Sequence, residues 1–177
     1  MMSRASWLIL GLAVLAAAAG GWLQHASQQR REGTAMVGRQ RPDLLLHDLD
    51  GQPHRLSGYH GQRVLLNFWA SWCGPCLEEM PALARAQSKF AEQGAIVVGI
   101  AMDEPARVRA FLAAHPVDYP ILLGQLGAPS TSRQLGDEAE LLPYSVLLDA
   151  QGRILATQRG PLDEARLDAW LAPAGQP

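Results

Sequence analysis

Apolar positions along the chain form three kinds of run. The first is "WLILGLAVLAAAAGGWL", Trp7 to Leu23, an uncharged stretch of 17 residues behind Arg4. At about 1.5 Å per residue, a helix of that length just crosses a bilayer core of roughly 30 Å. The second kind is short and continuous. "RVLLNFWA" (Arg63 to Ala70) and "AIVVGIAM" (Ala95 to Met102) carry the β-branched and aromatic residues that buried central strands require. The third kind repeats at helical spacing. Leu77, Met80, Leu83 or Ala84, and Phe90 mark a helix from Cys73 to about Gln93. Val108, Phe111 and Leu112 mark a second helix, and Leu167, Trp170 and Leu171 a last one.

Turn and cap signals supply the order. Asp50-Gly51 within "DLLLHDLDGQPHRL" predicts a hairpin of two short strands. Asp103 or Glu104 is placed to cap the second helix, with Pro105 at its first position and Pro116 closing it. "YPILL" reads as a short edge strand, and "PYSVLLDAQGRILATQRG" as a hairpin turning at Gln151-Gly152. Strand, helix, strand, helix, hairpin and last helix predict an α/β fold, a mixed sheet covered on both faces. The expected organisation is an N-terminal segment (1–23), a polar linker (24–36) and one folded domain (37–177).

The N-terminal run reads as an uncleaved signal anchor or as a signal peptide, since Ala16 to Ala19 offers small-residue cleavage sites. Arg4 and the short tail before it favour a cytoplasmic N-terminus. On either reading the folded domain is exported. Composition removes one class of function: a net charge of −2, with no basic patch among aromatics, gives no electrostatic case for nucleic acid.

The two cysteines carry the chemistry. Both lie in "FWASWCGPCLEEMP", Phe68 to Pro81. A structural disulfide closing so short a loop restricts the unfolded chain little. A zinc site needs a second pair of ligands, and the five histidines show no paired spacing. A thiol pair that is repeatedly oxidised and reduced fits the spacing better. A strand ending at Ala70 places Cys73 at a helix N-terminus, where unpaired N–H groups and the helix dipole favour thiolate. Cys73 is then the attacking sulfur, exposed beside Trp72, and Cys76, one turn inside the helix, resolves the mixed disulfide. Gly74 leaves access to the sulfur, while Pro75 fixes the backbone between the cysteines. Phe68 and Trp69 are expected in the core.

Resolution by Cys76 needs a proton acceptor. Glu79, three residues on, shares a helix face with Cys76, whereas Glu78 points to solvent. A dithiol metallochaperone handling copper is an alternative use of the same pair. A thioredoxin-fold peroxidase would need Pro and Thr seven and three residues before Cys73, where Leu66 and Ala70 stand.

"FWASWCGPC" followed by "EEMP", with "DLDG" in the N-terminal hairpin, Gly61 before the central strand and Pro143 before the last hairpin, resembles a known family. These are the membrane-anchored, thioredoxin-fold thiol–disulfide oxidoreductases of the TlpA, ResA and CcmG type. The resemblance covers roughly Val37 to Leu171. It implies a thioredoxin-like fold extended by an N-terminal β-hairpin, on the periplasmic side of the bacterial inner membrane. It also implies a cis bond at Pro143 beside the disulfide, with Leu142, Trp72, Gly74 and Pro75 framing the substrate. Expected partners are oxidised protein substrates, cytochrome c maturation being one setting, and a membrane electron donor of the thiol-reducing type. No cofactor and no metal are implied. Asn67 stands where thioredoxin has a buried aspartate and cannot titrate; Glu79, the glutamate of the family's Glu-x-Pro segment, replaces it. Leu142 and Tyr144 are bulkier than the family leads one to expect.

Overall fold

A computed structural model describes residues 36–173 and, within the apolar N-terminal run, residues 16, 17 and 19–21. The chain divides into two compact units, Met1–Glu32 and Gly33–Pro177, and the second carries the fold described below. Most of Trp7 to Leu23 and nearly all of the linker lie outside the described residues. Among the described residues, no helix is long and apolar enough to cross a membrane.

Seven strands form one sheet. In chain order they are β1 (Leu45–Asp48), β2 (Pro53–Arg55), β3 (Arg63–Trp69), β4 (Ala95–Ala101), β5 (Ile121–Leu123), β6 (Tyr144–Leu148) and β7 (Ile154–Arg159). Their spatial order is β2-β1-β5-β4-β3-β6-β7. The helices are α1 (Gly74–Phe90), α2 (Pro105–Ala114), α3 (Thr131–Gln134) and α4 (Glu164–Leu171). The continuous apolar runs became the two central parallel strands: β3 pairs with β4 from Arg63↔Ala95 to Trp69↔Ala101. Both predicted hairpins form, with positive φ at Gly51 and at Gly152, where the chain turns.

Handedness decides which face the long helices take. The crossovers β3–α1–β4 and β4–α2–β5 step the same way across the sheet, so two right-handed connections put both helices on one face. Val108 of α2 clusters there with Trp69 and Met80, and Phe111 meets the Trp69 ring at 5.4 Å. Leu167, Trp170 and Leu171 of α4 pack beside Leu65 and Leu83 on the same side. The opposite face, with Val64, Leu66, Phe68, Val98 and Ile100, is closed by Leu56, Leu135 and Tyr144. Leu56 comes from a 3-10 turn (Leu56–Tyr59) and Leu135 from the end of α3.

Two sequence expectations give way here. β5 is not an edge: β1 pairs with it on its outer side, because the N-terminal hairpin extends the sheet and β2 becomes the edge. Neither Asp103 nor Glu104 caps α2 with its side chain, although Glu104 occupies the N-cap position and Pro105 follows it. The Asp103 carboxylate turns back instead and accepts from the backbone N–H and hydroxyl of Ser71, at 3.1 and 2.5 Å. That contact ties the loop after β4 to the loop carrying the cysteines.

Candidate active site

The corner where β3 becomes α1 carries the dithiol. Cys73 is the N-cap of α1, in extended conformation, with Gly74 and Pro75 opening the first turn. Its carbonyl accepts from the N–H groups of Cys76 and Leu77. The two cysteines are joined as a disulfide, with Cα atoms 5.3 Å apart. Cys76 is fully buried, yet Cys73 is only 6% exposed, so the openly exposed sulfur expected from position is not observed. The disulfide belongs to a buried cluster with Trp69, Ala70 and Met80. Gly74 and Pro75, between the cysteines, are exposed, and Trp72 beside Cys73 is 66% exposed. Phe68 and Trp69 lie in the core as predicted.

The β3–β6 register, Phe68 opposite Tyr144, brings Leu142 and Pro143 to the end of β3 from which the cysteine loop departs. The Leu142–Pro143 bond is cis, and Leu142 packs against the cluster that holds both cysteines. Trp72 and Leu142 border a cleft of about 170 Å³ together with Met102, Leu126 and Glu140. Glu140 has φ +49°, a left-handed conformation costly for a glutamate, three residues before Pro143. A larger groove of about 460 Å³ between α1 and α2 is lined by Leu77, Met80, Pro81 and Phe111, and neither cysteine lines it.

Behind the disulfide sits Glu79, 3% exposed. Its Oε1 accepts from Asn67 Nδ2 at 2.7 Å and its Oε2 from the Leu162 backbone N–H at 2.8 Å. Burial pushes this carboxyl above the usual glutamate range, against the pull of those two donors, which favour the charged form. Asn67 also donates to Ser145 Oγ at 3.1 Å. Glu78 faces solvent, as expected from its helical position.

Sequence reasoning missed what leads up to Pro143. Asp137 is completely buried and accepts from Arg159 Nε at 3.3 Å, and Tyr144 donates to the Leu135 carbonyl. A local signal for α3 was present: Ser130 caps it by accepting from the Arg133 N–H, and Gly136, at φ +100°, follows its end. The Asp137–Arg159 pairing, between residues 22 apart, had no local signal.

Comparison with known proteins agrees with this geometry. The redoxin family matches residues 36–171. Over 168 residues the chain is 30% identical to the thioredoxin-like protein YneN of Bacillus subtilis, covering 93% of this chain and 96% of that protein. It is 31% identical to the thiol–disulfide oxidoreductase ResA of Geobacillus thermodenitrificans, over 87% of this chain and 84% of the relative. A crystal structure of a Chlorobium tepidum protein assigned as the thiol:disulfide interchange protein DsbE superposes with TM-score 0.68 at 30% identity. That match covers 77% of this chain and 98% of the other. The chain therefore belongs to the redoxin family, as a thioredoxin-fold thiol–disulfide oxidoreductase of the TlpA, ResA and CcmG type.

Proposed function

We propose that this protein reduces disulfides of exported proteins through Cys73 and Cys76, on the outer side of a bacterial inner membrane. The observation that carries the reading is the placement of the dithiol: Cys73 caps α1, and the buried Glu79 lies one turn beyond Cys76. In the reduced protein the Cys73 thiolate attacks a substrate disulfide, forming a mixed disulfide and releasing one substrate thiolate, which solvent protonates. Cys76 then gives its proton to the Glu79 carboxylate and attacks Cys73 Sγ. The Cys73–Cys76 bond forms, and the second substrate sulfur leaves as thiolate. Substrate is reduced by two electrons and the dithiol is oxidised by two.

Direction follows from what surrounds the sulfurs. Gly74-Pro75 is the thioredoxin dipeptide, whose couple lies near about −270 mV, against about −120 mV for strong periplasmic oxidants with a highly stabilised thiolate. No basic residue lies beside the cysteines in the sequence, and Glu78 and Glu79 disfavour added negative charge there. A reductant in an oxidising compartment needs resupply, which implies a membrane thiol-reducing donor. The Trp7 to Leu23 run supports an anchor or signal peptide at 1–23, a linker over 24–36 and the exported domain over 37–177. Trp72, Gly74, Pro75, Leu142 and cis-Pro143 frame the partner's cysteine. Cytochrome c maturation is the setting in which a reducing partner of this kind has cysteine pairs to act on.

The test is capture. Cys76→Ser stalls the mixed disulfide on Cys73, and the trapped proteins are identified from an exported fraction. Exported proteins with cysteine pairs are expected, together with a dithiol potential well below −200 mV. A potential near about −120 mV overturns the direction.

A further inference from the structure

A second carboxylate lies buried at the cysteine corner, and the exchange steps leave it unused. Asp103, 5% exposed, follows β4, where the Met102 N–H still donates to the Trp69 carbonyl at 2.8 Å. Its Oδ2 takes both donors of Ser71, the hydroxyl at 2.5 Å and the N–H at 3.1 Å. Its Oδ1 accepts from the Glu104 N–H at 2.8 Å. Among the described residues no salt bridge closes on it, and Arg107, in the first turn of α2, acts through its charge from a distance. A hydrogen bond to Ser71 needs only an oxygen, which an asparagine supplies. The charge is what calls for a reason, since an unpaired carboxylate is costly to bury.

Ser71 stands two residues before Cys73. The Cys73 N–H donates back to the Ala70 carbonyl at 3.1 Å, so residues 70–73 form a tight turn. Two Cα steps of about 3.8 Å, bent in that turn, set Cys73 within about 10 Å of the Asp103 carboxylate. That is about one Debye length in dilute salt, and a buried charge is screened less than one in water. The two buried acids near the disulfide are also driven apart. Burial raises Glu79 above the usual glutamate range. At Asp103 burial pulls the same way, but the Ser71 hydroxyl, the Glu104 and Ser71 N–H groups and Arg107 outweigh it and hold the carboxyl below the usual aspartate range. Acids separated in this way take different roles, and Asp103 is the one that keeps its charge. The other charged side chains near Cys73 on these elements are Glu78 on α1, Glu104 and Arg107 at the head of α2, and Glu140 in the cleft beside Trp72. All four are exposed, where solvent weakens their reach.

We propose that Asp103 is a positioning residue for the exchange reaction: through Ser71 it holds the loop from which Cys73 attacks, and its fixed negative charge opposes the Cys73 thiolate and so keeps the dithiol a strong electron donor. The inference rests on Cys73 as the attacking sulfur of a reductant. A less stabilised thiolate gives up electrons more readily as the Cys73–Cys76 bond forms. Asp103 acts through Ser71 and through its field, and it takes no proton.

Two readouts test it on the full chain: the equilibrium of the protein with dithiothreitol, and the alkylation of Cys73 by iodoacetamide followed against pH. Asp103→Asn keeps an oxygen for Ser71 and removes the charge. It is expected to shift the equilibrium about fivefold towards the dithiol and to carry the alkylation profile to lower pH. Glu104→Gln, which removes an exposed charge one residue on, is expected to do neither. Ser71→Ala keeps the charge and loses the hydroxyl. It is expected to slow attack on a test disulfide about fivefold, the scale of one lost hydrogen bond, with the equilibrium at its native value; Ser71→Thr restores the rate. An Asp103→Asn equilibrium and alkylation profile equal to native overturn the proposal, as does a shift of the same size in Glu104→Gln. Attack at the native rate in Ser71→Ala overturns the clamp. If Cys76 and not Cys73 is the sulfur alkylated in the native protein, the assignment of the attacking sulfur falls, and this inference with it.

Discussion

Glu79 and Asp137 are buried carboxyl groups on opposite faces of the sheet, and they are held in different ways. Asp137 sits behind the segment leading to cis-Pro143, with Arg159 of β7 against it at 3.3 Å. Glu79 sits behind the disulfide and is met by two neutral donors, the Asn67 amide and the Leu162 N–H. Burial raises the pKa of both. Asp137 faces a guanidinium that is only 17% exposed, beside the neutral donors Leu141 N–H and Ser132, whereas the donors that reach Glu79 are neutral alone. A buried acid that must cycle through both states is best held by neutral donors; one that must stay put is best held by a cation. The first arrangement suits proton exchange and the second suits a fixed loop.

The most damaging test of this contrast is stability. Asp137→Ala removes the buried carboxylate that pairs with Arg159, and breaking a buried pair from one side costs about 3 kcal/mol. The melting temperature should fall by roughly 10 °C. Replacing both partners, Asp137→Leu with Arg159→Met, should restore most of that loss, because a buried ion pair gains little over apolar side chains of similar volume. A double variant as unstable as the single one contradicts the account.

Rate separates the two acids next. Glu79→Gln should slow release of a test peptide from the mixed disulfide about a hundredfold, the scale of one positioned proton acceptor. Asp137→Asn, once shown to be folded, should stay within a few-fold of native, as measured by the same stopped-flow assay. Similar losses in both would mean that the Asp137 segment, and not the proton, limits the step.

Linkage gives a third measurement. The folded-state pKa of Glu79 lies above the ordinary 4.5, so its contribution to stability is fully present below that value. It is lost as pH rises through the folded value, at up to about 1.4 kcal/mol per pH unit while the group titrates. Chemical denaturation of native and Glu79→Gln proteins should therefore diverge from about pH 4.5 upwards, with the glutamine variant gaining. A difference independent of pH would show that Glu79 does not titrate in the folded protein.

The contrast also shows what a sequence can carry. β3 and β4 were legible because a strand covered on both faces must be apolar throughout, and Cys73 and Cys76 because their spacing and the strand-to-helix corner are local. The face of Glu79 followed from helical geometry alone. Other features depend on partners far along the chain: β5 is interior only because β1 docks on it, and Asp103 turns to Ser71, 32 residues earlier, instead of capping its own helix. Arg159 reads as an ordinary hairpin residue until the sheet brings it to Asp137. The burial of Cys73 arises in the same way, in a cluster that joins it to Ala101 of β4 and Val108 of α2.

The smallest expected effect concerns the donor that holds Glu79. Asn67 Nδ2 reaches Ser145 Oγ at 3.1 Å as well as Glu79 Oε1 at 2.7 Å, so the serine fixes the orientation of the amide. Ser145→Ala removes one buried hydrogen bond, which costs about 1 kcal/mol. It also frees the amide to turn, and the Asn67 oxygen has no protein partner to keep it where it is. Each moment the amide turns away, Glu79 loses a donor that favours its charged form, so its pKa must move further up, not down. The Glu79 carboxyl carbon, followed by NMR against pH, reads that direction without reference to activity. The same substitution leaves Asp137 untouched, since Ser145 points to the α1 face and Asp137 lies on the other. A downward shift at Glu79, or an equal shift at Asp137, would show that the two acids are coupled through the sheet and not held independently.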